Sequence, residues 1–436
     1  MSRSSHTTAA VVILGALFFI FGFVTWLNGT LILYLKIACE LTTSQALWIP
    51  VAFYISYFFL ALPSSYILQR TGMKKGMMFG LLIMAVGALL FLPAAMARSY
   101  GLFLTGLFII GTGLALLQTA SNPYITVVGP IESAAARISI MGICNKLAGV
   151  LAPIILSAVV LADADKLTAD LALMDAAARE VRLDELAQRV MLPYALMAGV
   201  LVALGLWVRF SPLPDLEVER DAAKAEDAST TVFSYPYLIL GVVALFLYVG
   251  VEVMAGETIG LYGESLGVPL SNTKYFTALT LIAMVVAYII GNLTIPRFIS
   301  QSKALMVSAL LGVVLTAVAA MLPTGIAVNI PFLDLVNFSI IRLTVPLTVV
   351  FIALLGLANA LVWPAIWPLA IQGLGRHTAT GSAMLIMAIV GGAVLPKVYG
   401  SLAEGPIGYQ HAYWMMVPCY LFMLWYGLKG ARILRW

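Results

Sequence analysis

The sequence predicts an all-α membrane protein, twelve transmembrane helices in two pseudo-symmetric halves of six, and three observations carry that expectation. Of the 436 residues, 62% are hydrophobic and only 10% are charged, with a mean hydropathy of +1.02. So few charges cannot cover a soluble chain of this size. Charge-free runs recur at 7–35, 41–69, 76–97, 99–131, 228–251, 275–296, 304–333 and 343–375. Each is long enough for the roughly 20 apolar residues that cross about 30 Å of hydrocarbon. Motifs of the first half also return in the second. The basic loop 68–75 is matched by the loop from Arg297 to Lys303, and the small-residue run ending in Pro153 is matched by the run ending in Pro396.

Taken in order, the apolar runs place helices at 9–35, 45–69, 76–97, 101–128, 137–161, 191–210, 235–262, 274–296, 303–322, 345–371, 379–401 and 408–429. The first run is too long for a cleavable leader and lacks a small-residue cleavage site, so it is helix 1. Between helices 5 and 6, residues 162–189 mix charge with Leu167, Leu171 and Met174 at helical spacing, which predicts an amphipathic helix lying on the outer surface. After helix 6, residues 211–231 are polar and open with a proline, a linker signal. The expected domains are a bundle over 1–210, a cytoplasmic linker over 211–232 and a second bundle over 233–436. Pro364 should bend helix 10. An even number of spans puts both termini on one side. The loops of that side hold most of the Lys and Arg, whereas Lys36, Arg98, Lys274, Arg342 and Lys397 occupy the short loops opposite. The positive-inside rule therefore predicts cytoplasmic termini.

The formal charge of +4 is spread over loops and implies no nucleic-acid partner. Cys39, Cys144 and Cys419 are isolated, and His6, His377 and His411 are scattered, so no metal site or disulfide framework is indicated. The spans hold no paired catalytic carboxylates and no nucleophile constellation, which argues against an enzyme and against any cofactor beyond a coupling ion. A drug exporter would call for a wider apolar cavity without clustered amides.

Ionisable residues inside a membrane are costly and mark functional sites. Glu252 and Glu257 fall within helix 7, and Lys146 lies in the middle of helix 5 beside Asn145. Glu252 and Lys146 are too deep to snorkel to water. For Glu257 the competing reading is a carboxylate near the outer end of its helix. A carboxylate in low dielectric can load and release a proton, or bind Na⁺. Glu252, Lys146 and Glu257 are thus candidate coupling residues, with Glu252 foremost. Neutral polar residues form faces: Gln118 and Asn122 are four apart on helix 4, and Asn359, Trp363 and Trp367 repeat that spacing on helix 10. Aromatic rings pack on the C–H face of a pyranose while amides bond its hydroxyls. Trp often anchors a helix at the interface and Asn often ties two helices together. The convergence of three amide-bearing helices with Trp26 and Trp363 points instead to a sugar site of Trp26, Asn28, Gln118, Asn122, Asn145, Asn359, Trp363 and Trp367. Gly142 and Gly149 read as close helix packing without solute contact.

Leu27-Asn28, the helix 4 motif over 117–130, the helix 7 run over 248–250 and the helix 10 stretch from Trp363 to Gly375 resemble the fucose:proton symporter family of the major facilitator superfamily. That family includes glucose/galactose transporters and N-acetylglucosamine permeases, and the likeness covers nearly the whole chain. It implies the major facilitator fold and a multi-pass protein of the bacterial inner membrane. It also implies uptake of a monosaccharide driven by H⁺ or Na⁺. The fucose branch carries an acid where Gly29 stands and another where Gln118 stands, so both of its proton-linked acids are absent here. Its nearby helix 5 glutamine is Gly142 in this chain, Lys146 replaces a small residue, and Glu252 stands where it has a glutamine. Asn359 before a Trp-Pro fits the glucose/galactose branch, whereas Asn145-Lys146 and the run 252–256 look closest to the N-acetylglucosamine permeases. The expectation is a monomeric, lipid-embedded sugar symporter working by alternating access. A facilitator or exporter of the same fold is the alternative.

Overall fold

With no water in the hydrocarbon layer, each backbone N–H and C=O must be satisfied within its own segment, and the long apolar runs accordingly coil into helices. A computed structural model describes residues 3–127, 134–213, 231–295, 298–334 and 339–434. Most of the predicted linker, together with Arg220, Lys224, Arg297 and Arg435, lies outside the described residues, as do residues 128–130 of the helix 4 motif.

In the first half, helix 1 is Arg3–Ala38, helix 2 Trp48–Thr71, helix 3 Met73–Leu89 continued by Phe91–Met96, helix 4 Tyr100–Val127, helix 5 Ala134–Val160 and helix 6 Met191–Phe210. Gly72 divides helices 2 and 3 at φ 80° and ψ 160°, a backbone region open to glycine alone. In the second half, helix 7 is Pro236–Glu257 followed by Ile259–Ser265, helix 8 is Phe276–Thr294 and helix 9 is Gln301–Met321. Helix 10 comes in two pieces, Leu347–Asn359 and Val362–Ile371. Helix 11 runs Thr378–Met387 and Gly391–Ala403 through a tight turn, and helix 12 is assembled from Gly408–Ala412, Tyr413–Met415 and Met416–Leu428. Among the described residues, eleven stretches are individually long and apolar enough to cross a membrane, and the segmented twelfth completes the set. Large apolar side chains point outward, as with Phe59 at 58% exposure, Leu196 at 63% and Leu310 at 55%, which suits lipid contact.

The bend expected in helix 10 falls at Ala360 and Leu361, just before Pro364. Proline offers no N–H to the carbonyl four residues earlier, and its ring crowds that carbonyl, so the helix opens upstream of it. The connection over 162–189 forms two helices instead of one, Ala164–Leu173 and Ala176–Gln188. Asp175 restarts the chain as an N-cap, accepting from the Ala178 N–H at 2.8 Å. Leu167, Leu171, Leu183 and Leu186 turn inward. The Tyr34 hydroxyl, which reaches the Leu186 and Ala187 carbonyls at 2.7 and 2.8 Å, fastens this cap to helix 1.

One element was not expected. Between helices 9 and 10, β1 (Ala327–Asp334) pairs antiparallel with β2 (Ser339–Pro346), from Ala327 opposite Pro346 to Asp334 opposite Ser339. Leu343 and Val345 face inward with Phe332, whose ring meets Tyr275 at 5.1 Å.

Helices 1 and 5, 2 and 4, 3 and 4, and 3 and 6 pack together in the first half; helices 8 and 10, 9 and 10, 9 and 12, and 7 and 11 do so in the second. The halves meet along helix 5 against helix 8 and helix 2 against helix 11. Close approach depends on glycine. A Cβ on Gly22 of helix 1 would come within 1.8 Å of the Asn145 carbonyl oxygen. One on Gly142 would meet the Tyr288 ring at 2.9 Å, in line with its expected packing role.

Candidate functional site: a buried charge pair between the halves

Helix 5 brings Lys146 and helix 7 brings Glu252 to the seam between the halves, where the ammonium donates to Glu252 Oε1 at 2.7 Å. Each residue is 8% exposed. Burying two charges is tolerable only when they are paired and further bonded, because either alone carries a heavy desolvation cost. Trp26 supplies the wall of this site. Its ring lies 4.8 Å from Lys146 Nζ, a cation–π contact that leaves the ammonium short of water without isolating it. The same ring slots between Gly149 and Gly256, where an added Cβ would come within 2.5 and 2.4 Å of it. Gly149 therefore serves packing, and the surface it packs is the site.

From Glu252 an aromatic run continues toward helix 10. Tyr248, one turn away on helix 7, has its ring 6.4 Å from Trp363, and Trp363 stacks on Trp367 at 5.4 Å and 24°. Both indoles are partly buried. Asn359, wholly buried at the end of the first helix 10 segment, accepts from the Tyr420 hydroxyl at 2.8 Å through Oδ1, and its Nδ2 has no partner.

A second patch lies where helices 1, 2 and 7 meet. Helix 7 breaks at Thr258, whose hydroxyl turns back to the Met254 carbonyl at 2.7 Å, and the break holds Glu257 at its inner edge. Glu257 is 1% exposed, so it is not a carboxylate at a solvated helix end. Its Oε1 accepts from the Tyr54 hydroxyl at 2.8 Å, and Asn28 faces it from helix 1. Tyr54 stacks near Tyr57 at 6.5 Å, and Gln118 donates to the Tyr57 hydroxyl at 3.1 Å, so helix 2 tyrosines connect Gln118 to Glu257. Asn122 is half-buried on the same helix 4 face.

The sequence-predicted set thus falls into two neighbouring groups, one around Lys146 and Glu252 with Trp26 and the helix 10 tryptophans, the other around Glu257 with Asn28 and Gln118. Asn145 stands apart. Its amide donates to the Phe18 carbonyl at 3.3 Å, tying helix 5 to helix 1. Tyr54, Tyr57 and Tyr420 escaped the sequence reading, and Tyr248 entered it only through the helix 7 motif, although its four-residue step to Glu252 is visible there.

Twelve apolar helices around buried, opposed charges at a seam between two halves define a membrane transporter, a protein that moves solutes and is not an enzyme. The sequence matches the Major Facilitator Superfamily over residues 13–396, and the chain belongs to that family. Among its relatives, the glucose/galactose transporter of Brucella abortus biovar 1 (strain 9-941) is 32% identical over 432 residues, covering 97% of this chain and 94% of that protein. The L-fucose-proton symporter of Haemophilus influenzae is 28% identical over 437 residues, covering 97% of each. The crystal structure of the family transporter FucP in the outward conformation shares the fold with a TM-score of 0.71 at 24% identity, covering 96% of this chain and 98% of that one.

Proposed function

We propose that this chain is a secondary active sugar transporter, importing a monosaccharide of the glucose/galactose class or N-acetylglucosamine by symport with H⁺ or Na⁺. The bundles over 1–210 and 233–436 are the bodies that rock about the seam, with 211–232 as their linker. In this reading both termini are cytoplasmic, the protein works as a monomer in the bacterial inner membrane, and Lys146, Glu252 and Glu257 couple ion to sugar. The observation that carries the reading is the Lys146–Glu252 pair, 2.7 Å across the junction of the two halves and walled by Trp26. A charge pair in that place joins the bodies in one access state and must rearrange in another, which is how ion occupancy can gate their motion. The names of the relatives support a hexose, and Trp363 with Trp367 supplies the stacking surface a sugar ring needs.

The test is uptake into proteoliposomes of labelled glucose, galactose, mannose, fucose and N-acetylglucosamine, with and without Na⁺. Accumulation of one sugar above its outside concentration, collapsed by a protonophore or by removing Na⁺, is expected. Trp363→Ala should raise the half-saturating sugar concentration about tenfold, the equivalent of about 1.4 kcal/mol. Simple equilibration under every ion gradient would establish the facilitator instead. That alternative draws on Gly29 and Gln118, which stand where the fucose branch has its acids.

A further inference from the structure

The two carboxylates of helix 7 stand in different electrostatic situations. Glu252 already has a cation: Lys146 lies 2.7 Å away, and protonating Glu252 would leave that ammonium buried and uncompensated. Glu257 has none. It is 1% exposed, and no Lys, Arg or His pairs with it among the described residues. The groups that face it are Tyr54 on helix 2, Asn28 on helix 1 and, five residues back on its own helix, Glu252, with Tyr57 behind Tyr54. One neutral hydroxyl, an amide and a like charge do not offset the cost of a bare carboxylate in a low-dielectric interior.

The hydrogen-bond inventory points the same way. Tyr54 satisfies Oε1 at 2.8 Å, but Glu257 Oε2 is buried without a partner, and both amide atoms of the fully buried Asn28 are without partners too. An ionised carboxylate could accept from the Asn28 N–H₂ but offers its carbonyl oxygen nothing. A protonated one carries an O–H that donates. A sodium ion would need several oxygens converging on it. Here the Tyr54 hydroxyl points its hydrogen at the carboxylate, occupying one of the two oxygens an ion would use.

Resting on the symport reading above, we propose that Glu257 is the residue that carries the coupling proton, while the Lys146–Glu252 pair stays charged and acts as the joint between the halves. Helices 1 and 2 belong to one half and helix 7 to the other, so the protonated carboxyl closes a neutral, hydrogen-bonded junction across the seam. Loss of the proton leaves a charge that only water can satisfy, and the junction opens to one side.

The experiment is sugar transport by the full-length protein in liposomes containing a pH-sensitive dye, without Na⁺, under an inward gradient of one pH unit. At one proton per sugar that gradient supports about tenfold accumulation. Wild type is expected to accumulate sugar and acidify the lumen. Glu257→Gln is expected to lose both, its accumulation ratio falling to about 1, while sugar counterflow continues and no longer varies with pH. Tyr54→Phe should shift the pH at which counterflow is half-maximal, and Glu257→Asp should restore proton movement. Proton-coupled accumulation by Glu257→Gln would overturn the proposal and leave symport standing. So would wild-type accumulation that requires Na⁺ and moves no protons. Failure of wild type to accumulate any sugar under either gradient would overturn the symport reading and this proposal together. If Glu257→Gln does not reach the membrane, the Tyr54→Phe pH profile and the dye signal of wild type decide: an unshifted profile, or uphill uptake without acidification, rejects the proton role.

Discussion

Removing one member of the Lys146–Glu252 pair leaves the other charged inside the bundle, whereas removing both leaves only a small packing defect. Buried pairs broken on one side lose about 3–5 kcal/mol, and hydrophobic replacement of both partners is often neutral. Lys146→Met and Glu252→Leu are therefore each expected to lower the thermal midpoint of the detergent-solubilised protein strongly, and the double variant to recover most of the loss. Additive losses would mean that the two side chains do not depend on each other. The sequence already marked both residues, because a charge in a long apolar run stands out. Their contact was not legible, since 106 residues separate them and nothing in a one-dimensional pattern brings helix 5 against helix 7. The tyrosines around them were hidden for a different reason. A tyrosine in a membrane helix looks like an interfacial aromatic until its hydroxyl is seen to have a partner, as Tyr54 has in Glu257 and Tyr420 in Asn359.

Elements were legible in proportion to the strength of a single signal. The helices followed from uninterrupted apolar runs, and their ends fell close to the expected places. The hairpin of β1 and β2 was not foreseen, because 327–333 continues the charge-free run of helix 9 and its alternation is lost among residues that are nearly all apolar. The outer cap was foreseen as one amphipathic helix, but Asp175 splits it. Its attachment is electrostatic as much as apolar. Asp163 receives hydrogen bonds from Arg189 and Arg182, and the Arg189 contact above all holds its carboxyl below the usual range, at about 2. A carboxylate with a lowered pKa contributes fully above the ordinary value near 3.9. That contribution is lost only as the pH falls toward about 2. The Asp163 contribution to cap docking should thus be insensitive to pH from 8 down to about 4. Asp163→Asn is expected to speed hydrogen exchange over 164–188 by about 2- to 5-fold, the yield of partly exposed pairs worth up to about 1 kcal/mol. Unchanged exchange in that variant would show that the buried leucines, Tyr34 and the Arg98 and Arg179 ion pairs hold the cap without Asp163.

At the scale of the whole molecule, polar contacts gather on the face away from the termini and tie the first half to the second. Lys36, at the end of helix 1, donates to both oxygens of Glu264 at 2.8 Å. The turn before helix 2 is held three times over: Ser44 Oγ accepts from Lys397 at 2.8 Å, the Ser44 N–H donates to Glu404 at 3.0 Å, and Thr43 meets the Tyr409 hydroxyl at 2.7 Å. The first joins helix 1 to the second segment of helix 7 and the others join the start of helix 2 to helices 11 and 12, so separating the halves on that face requires all of them to part. Each is partly exposed and individually weak, about 0.2–1 kcal/mol for an ion pair, so the set can be broken within an ordinary transport cycle. Locking it covalently should be different. With Cys39, Cys144 and Cys419 replaced by serine, the pair Lys36→Cys and Glu264→Cys treated with a short bifunctional thiol reagent is expected to lose sugar uptake, and cleavage of a reducible linker should restore it. Each single cysteine treated in the same way should transport normally, which separates locking from modification. Glu264→Gln should only shift the balance, raising reagent access to residues near the seam about 2- to 5-fold from that side. Undiminished uptake by the cross-linked protein would mean that sugar enters without the halves separating there, and the rocking of two six-helix bodies would have to be abandoned for this chain.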